Sequence, residues 1–162
     1  METDAAITPR IAASLRGLDA RWFTTVLREA GYVDATVTAV RMEPMAFTGA
    51  VADMARVRLG YEDPRSAGPA TLVAKIRGAD EMRLAMDSAM SLYEREARFY
   101  AQFANRVPLR TPRCFHVGDG TSGPLLLEDL GELRAGDQMR GLGLADAARL
   151  IDVLADLHGS FW

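Results

Sequence analysis

The sequence lacks the residues on which several kinds of site depend. Cys114 is the only cysteine and His116 and His158 are the only histidines, so neither an internal disulfide nor an imidazole-based metal site is expected. A net charge of −3 gives no electrostatic basis for binding nucleic acid or an anionic membrane. No apolar run is long enough to span a bilayer, and residues 1–10 do not form a secretory signal. The expected location is therefore cytoplasmic.

Lysine is almost absent, since the chain has eighteen arginines and a single lysine, Lys75. This lysine lies in the apolar segment 71–76, where arginine cannot replace a compact ammonium on a flexible stem. An ammonium between Val73, Ala74 and Ile76 needs an anionic partner, and the simplest partners are a phosphate and a carboxylate. The alternative is that base composition favours arginine and that one lysine remained by chance.

The pattern of apolar residues predicts one domain, or one domain and part of another, within the 162 residues. Strands are predicted over residues 36–42, 54–61, 71–76, 113–117 and 125–127, the first three forming an antiparallel meander. Helices are predicted from Thr8-Pro9 to about residue 15, from Asp19 to Gly31, over 80–105, and over 145–162.

The predicted helix over 80–105 places a carboxylate on its inward side. Its apolar residues form one broad arc with Glu96 near the centre, whereas Glu94 and Arg98 lie on the opposite side. A buried carboxylate requires a partner, and Lys75 is the candidate because a helix that follows a strand commonly packs on the same sheet. Three methionines at helical spacing are predicted to fill the core: Met82, Met86 and Met90.

These elements predict a phosphate-handling site. Backbone N–H groups of a small-residue loop over 47–50 would bind an anion, Lys75 would contact phosphates, and Glu96 would hold Lys75 in position. Val73 would cover a nucleobase, whose edge would bind the backbone after the strand over 125–127. The candidate nucleotide-binding residues are thus Lys75, Glu96, Thr48, Gly49, Ala50, Val73, Glu128 and Leu130. The alternatives are a structural Lys75–Glu96 ion pair and an ordinary hairpin loop.

Six segments, in this order and spacing, resemble a known family. They are Leu-Val-Ala-Lys at 72–75, Tyr-Glu-Arg-Glu-Ala-Arg-Phe-Tyr at 93–100, Thr-Pro-Arg-Cys-Phe-His at 111–116, Leu-Leu-Leu-Glu-Asp-Leu at 125–130, Gly-Asp-Gln at 136–138, and Leu-Ala-Asp-Leu-His at 154–158. The chain resembles the N-terminal lobe of the protein-kinase-like small-molecule phosphotransferases, the aminoglycoside phosphotransferase and choline kinase superfamily. It is most similar to the branch of ecdysteroid kinases and their bacterial relatives.

This resemblance implies an α+β fold, in which a kinase-like N-lobe contains an antiparallel sheet of about five strands and one long packed helix. The implied organisation is N-terminal helices over 1–32, an ATP-binding lobe over 33–130, and a hinge linker with the first helix of a truncated C-lobe over 131–162. The implied activity is transfer of a phosphoryl group from ATP, with Mg²⁺, to a hydroxyl of a small molecule.

The family's catalytic motifs are not found in this chain. A His-Gly-Asp loop with a downstream asparagine and a metal-binding aspartate are both missing, although residues 116–119 and 158–160 partly resemble the first. No catalytic residue or metal ligand is therefore assigned, the magnesium ligands are expected in a missing C-lobe, and the chain alone is expected to be inactive. Two alternatives are a non-catalytic nucleotide-binding fragment that needs a partner chain, and an interaction module that self-associates through the helix over 145–162.

Overall fold

The computed structural model describes residues 17–45, 51–65, 68–120, 123–131, 133, 137 and 139–162. These residues form an α+β fold, as the sequence predicts. The helices are α1 (Ala20–Glu29), α2 (Glu81–Met90), α3 (Leu92–Gln102) and α4 (Leu144–Gly159). The strands are β1 (Val37–Pro44), β2 (Ala52–Tyr61), β3 (Thr71–Arg77), β4 (Cys114–Val117) and β5 (Leu125–Glu128). The short helix predicted after Thr8-Pro9 lies outside the described residues.

The five strands form one antiparallel sheet in the order β1-β2-β3-β5-β4. The predicted meander of the first three strands is confirmed, and β5 lies between β3 and β4 and pairs with both. Side chains alternate between the two faces of a strand. Leu72, Ala74 and Ile76 therefore face one side of β3, and Val73 and Lys75 face the other.

Helix α1 covers the first of these faces. Asp19 caps the helix by accepting a hydrogen bond of 2.8 Å from the Trp22 N–H, and Gly31 follows its end with a φ of 99°. Both helix boundaries agree with the sequence prediction. Three residues of α1 are buried against apolar side chains of β1, β2, β3 and β5: Phe23, Val26 and Leu27. This cluster is the main core, so the opposite face of the sheet is the one that carries Lys75.

The helix predicted over 80–105 is interrupted. Ser91 has a φ of 51°, in the left-handed region, and separates α2 from α3. A left-handed residue other than glycine costs about 1–2 kcal/mol, so surrounding contacts must compensate. Asp87 provides two of them, because its carbonyl accepts from the Ser91 N–H at 2.6 Å and its side chain accepts from the Tyr93 N–H at 2.8 Å.

The expectation that the methionines of α2 fill the core is wrong. Met82, Met86 and Met90 are exposed, and Asp87 is the only buried residue of α2. The reason is that α2 contacts the sheet through ion pairs, Arg83 with Asp53 and Asp87 with Arg77, and not through an apolar face.

Helix α4 has no buried residue and exposes its apolar stripe, which includes Leu150, Ile151 and Leu154. Among the described helices, none combines the length and the apolar character needed to cross a bilayer.

Candidate functional site

Lys75 and Glu96 form an ion pair, as the sequence predicts. The distance from Lys75 Nζ to Glu96 Oε2 is 2.5 Å. The two side chains retain 17% and 30% of their exposure, respectively, so both are partly buried while the pair still reaches the surface. An ammonium has three N–H donors, and among the contacts between described residues Glu96 takes one of them. The remaining donors suit an additional anion.

Tyr93, one turn before Glu96, fixes the backbone beneath this pair. Its hydroxyl lies 3.0 Å from the carbonyl oxygen of Lys75 and 2.8 Å from that of Gly123, so its single proton is shared between β3 and the residues before β5. Tyr93 is 2% exposed, and burial raises its pKa to about 12, so the hydroxyl keeps its proton at neutral pH. Helix α3 therefore contacts both the backbone and the side chain of Lys75.

A second ion pair joins β3 to the helices. Arg77 Nε donates to Asp87 Oδ2 at 2.5 Å, and the Asp87 side chain is only 5% exposed. Its other oxygen accepts from the Tyr93 N–H in the first turn of α3. Asp87 thus connects the end of β3 with the start of the helix that carries Glu96.

The predicted phosphate loop cannot be compared with the structure, because Thr48, Gly49 and Ala50 lie outside the described residues. The next residue, Val51, is described. It packs with Ala52 against Tyr93, and its carbonyl accepts a hydrogen bond of 2.9 Å from the Gly78 N–H. The start of β2 therefore lies beside Tyr93, whose hydroxyl contacts the Lys75 carbonyl.

The residues predicted to bind a base lie further along the same part of the sheet. Val73 shares the face of Lys75 but is only 6% exposed, so a base could contact it only after neighbouring side chains move. Lys75 pairs with Leu125, whereas Leu72 pairs with Glu128. Glu128 is therefore displaced from Lys75 by three strand positions, or about 10 Å. That separation suits a ligand with a phosphate at one end and a base at the other.

Glu128 and Leu130 make contacts that sequence reasoning did not anticipate. The Glu128 N–H donates to the Arg113 carbonyl at 2.8 Å, and the Glu128 carboxylate accepts from Arg110 and from the Arg113 N–H. The Leu130 carbonyl accepts from the Leu133 N–H at 2.8 Å. These contacts order the segment after β5, but they use part of the backbone that was predicted to bind a base edge.

Arg56 of β2 connects this segment to the sheet. Its guanidinium donates to both oxygens of Asp129, at 2.7 and 3.2 Å. A Cβ added to Gly131 would lie 2.6 Å from Arg56 Nη2, so a residue without a side chain allows this approach. Burial of the Asp129 carboxyl opposes ionisation, but hydrogen bonds from Arg56 and the Gly131 N–H outweigh it and hold its pKa below the usual 3.8.

This pKa shift predicts an acid-dependent loss of stability. The contribution of Asp129 is complete above the unfolded-state pKa and is lost as the pH falls through the lower folded-state pKa. Asp129→Asn is expected to reduce the free energy of unfolding by about 1–2 kcal/mol at neutral pH. The difference in the free energy of unfolding between this variant and the wild type should shrink below about pH 4, as measured by urea unfolding at several pH values.

Asp63→Asn is the matched control, because Asp63 pairs with Arg65 at an exposed site and such pairs contribute little. If the free energy of unfolding of Asp129→Asn differed from that of the wild type by the same amount from neutral pH to about pH 3, ionisation of Asp129 would not be linked to folding.

Two cavities formed by described residues lie elsewhere, and neither is lined by Lys75 or Glu96. One, of about 560 Å³, lies between α3 and β4, beside Cys114 and His116. Burial raises the pKa of the Cys114 thiol to about 11 and lowers that of His116, so both groups are uncharged there at neutral pH. The other, also about 560 Å³, is apolar and lies between Phe103 and the Phe161-Trp162 end. The candidate site is therefore defined by the Lys75–Glu96 pair.

Sequence reasoning missed Asp87 and Asp129, the acidic partners of two strand arginines. Arg56 alternates with apolar residues along β2, but nothing in this pattern indicates a partner 73 residues away.

Comparison with known proteins gives no further assignment, since no family model, no curated protein and no solved structure matches this chain.

Proposed function

We propose that this chain is the ATP-binding lobe of a phosphotransferase that acts on a hydroxyl of a small molecule. The observation that supports it most directly is the ion pair between Lys75 on β3 and Glu96 on α3. In protein kinases a lysine of the third strand contacts the phosphates of ATP and is held by a glutamate of the next helix. The pairing of Lys75 with Glu96 follows that scheme, although Glu96 lies on α3, the second helix after β3.

In the proposed reaction, the γ-phosphoryl group of ATP moves to the acceptor oxygen and ADP leaves. Lys75 orients the phosphates and Glu96 fixes the direction of its ammonium. Among the described residues, no three histidine, cysteine, aspartate or glutamate side chains are grouped as a metal site. The proposal therefore assigns no Mg²⁺ ligand to a described residue, and it names no base for the hydroxyl proton.

The experiment uses the single lysine. Protein labelled with [ε-¹³C]lysine gives one side-chain signal, which reports directly on Lys75. Titration with Mg–ATP is expected to shift this signal to saturation with a Kd below about 1 mM, the usual upper range for enzyme substrates. Because Lys75 is proposed to contact phosphate, Mg–tripolyphosphate should shift the same signal, whereas adenosine should leave it in place.

A signal that stays unchanged at Mg–ATP concentrations well above this range would exclude the proposed binding. The second candidate function, an interaction module with a structural ion pair, would then be favoured. The observation behind it is helix α4, whose apolar residues Leu150, Ile151 and Leu154 are exposed. Concentration-dependent sedimentation of the same sample tests self-association through this helix.

A further inference from the structure

We infer that Asp87 is a positioning residue for the Lys75–Glu96 pair, and that the break at Ser91 allows carboxylates from two helices to face one strand. Asp87 is 4% exposed and is the only charged residue among the described ones that is so completely buried. A buried carboxylate needs strong hydrogen bonds, and Asp87 has them from Arg77 and from the Tyr93 N–H. The inference deepens the proposed function. Only the part of its test that measures the Kd for Mg–ATP rests on that function.

The break is required by helical geometry. Glu96 is nine residues after Asp87, and at about 100° per residue an unbroken helix would place the two side chains roughly 180° apart. One carboxylate would then face the sheet and the other would face solvent. The left-handed Ser91 reorients the chain between them, so that both carboxylates reach β3.

Strand geometry places two cationic side chains on the same face of β3. Lys75 and Arg77 are two residues apart on β3, so their side chains emerge on the same face. Arg77 forms an ion pair with Asp87 of α2, and Lys75 forms one with Glu96 of α3. Tyr93 lies between the two pairs, with its N–H on Asp87 and its hydroxyl directed at the Lys75 carbonyl.

These contacts form a closed path from β3 to the first turn of α3 and back to β3. Glu96 follows Tyr93 by three residues, or nearly one turn, so the two move together. Loss of the Asp87 charge would release the Tyr93 turn from Arg77 and shift Glu96 relative to Lys75. Asp87 therefore acts on any phosphate at Lys75 through other residues, without touching it.

The test compares the ¹³Cε signal of Lys75 in the wild type, Glu96→Gln and Asp87→Asn, without nucleotide. The amide of Asp87→Asn would keep an acceptor for the Tyr93 N–H but would lose the ion pair with Arg77. The lysine signal of Asp87→Asn is expected to move from the wild-type position toward that of Glu96→Gln. With nucleotide, the Kd for Mg–ATP is expected to rise about tenfold. A purely structural role would lower the unfolding temperature but would leave the lysine signal of the folded protein unchanged.

The control on α3 is Glu94→Gln. Glu94 pairs with Arg98 on the exposed side of the helix, at 2.6 Å, so this variant removes a carboxylate without affecting the path to β3. Its lysine signal should coincide with that of the wild type.

A second pair of variants tests the break itself and applies if Asp87→Asn does not fold. Ser91 is exposed, and glycine adopts its left-handed conformation freely whereas a β-branched residue does not. Ser91→Gly is expected to retain the wild-type lysine signal, and Ser91→Val is expected to move it toward that of Glu96→Gln.

The outcomes separate this inference from the proposed function. If the wild type fails to bind Mg–ATP, the proposed function is wrong, but the lysine signals without nucleotide still decide the role of Asp87. If the wild type binds Mg–ATP and the signals of folded Asp87→Asn and Ser91→Val equal the wild-type signal, Asp87 is not a positioning residue and the proposed function stands.

Discussion

Replacing Lys75 by methionine is expected to weaken Mg–ATP binding by about tenfold to a hundredfold. Methionine preserves an unbranched apolar stem of similar length, so the variant removes mainly the ammonium. The expected loss corresponds to about 1.5–3 kcal/mol, the usual contribution of a hydrogen bond to a charged group. Isothermal titration calorimetry on the wild type and the variant measures it directly. Circular dichroism verifies that the sheet is retained.

The control for Lys75→Met is Arg58→Met. Arg58 lies on β2 on the same face of the sheet, and its side chain is 52% exposed in its pair with Glu43. This variant removes one positive charge from the same surface without touching the Lys75–Glu96 pair, so it corrects for general attraction between cations and ATP. Equal affinity of the wild type and Lys75→Met would remove the role proposed for Lys75, whatever the result for Arg58→Met.

Shortening Leu126 to alanine is expected to cause a large loss of stability. Leu126 is fully buried, lies on β5 between two neighbouring strands, and packs in the cluster between the sheet and α1. Removing its side-chain atoms leaves a cavity, and such changes cost about 2–5 kcal/mol. Since small domains are stable by only about 5–15 kcal/mol, urea unfolding should show a clearly lower midpoint.

Leu142→Ala provides the comparison, because Leu142 is 59% exposed and the same atoms are removed from a surface site. Its midpoint should stay close to that of the wild type. A midpoint for Leu126→Ala as high as that of Leu142→Ala would mean that β5 is not part of the cooperative core.

The features that were predictable from the sequence depend on local patterns. Alternating patterns and short apolar runs located the five strands, and Asp19 with Gly31 located the ends of α1, because caps and glycine act within one turn. The Lys75–Glu96 pair was also predictable, since a lone ammonium in an apolar strand and an inward carboxylate on the following helix each need a partner. Whether this pair binds ATP stays a prediction.

The remaining features depend on contacts that sequence periodicity does not contain. A continuous helix was predicted from one apolar arc over 80–105, and Ser91 within it is neither glycine nor proline, the residues that usually mark a break. Its left-handed conformation depends on Asp87, which in turn depends on Arg77 of a preceding strand. The exposure of Met82 and Met86 has the same origin, because ion pairs and not apolar contacts hold α2.

The strand order also determines which strand edges could pair with another copy of the protein. Among the described strands, β1 and β4 are the outermost, and an unpaired strand edge can recruit another chain and begin aggregation. β1 carries Arg41 and Glu43 and ends at Pro44, which has no N–H to offer, while β4 is only four residues long. Charge, proline and short length are the devices that discourage intermolecular strand pairing, so both rims of the sheet are protected against fibril-like growth.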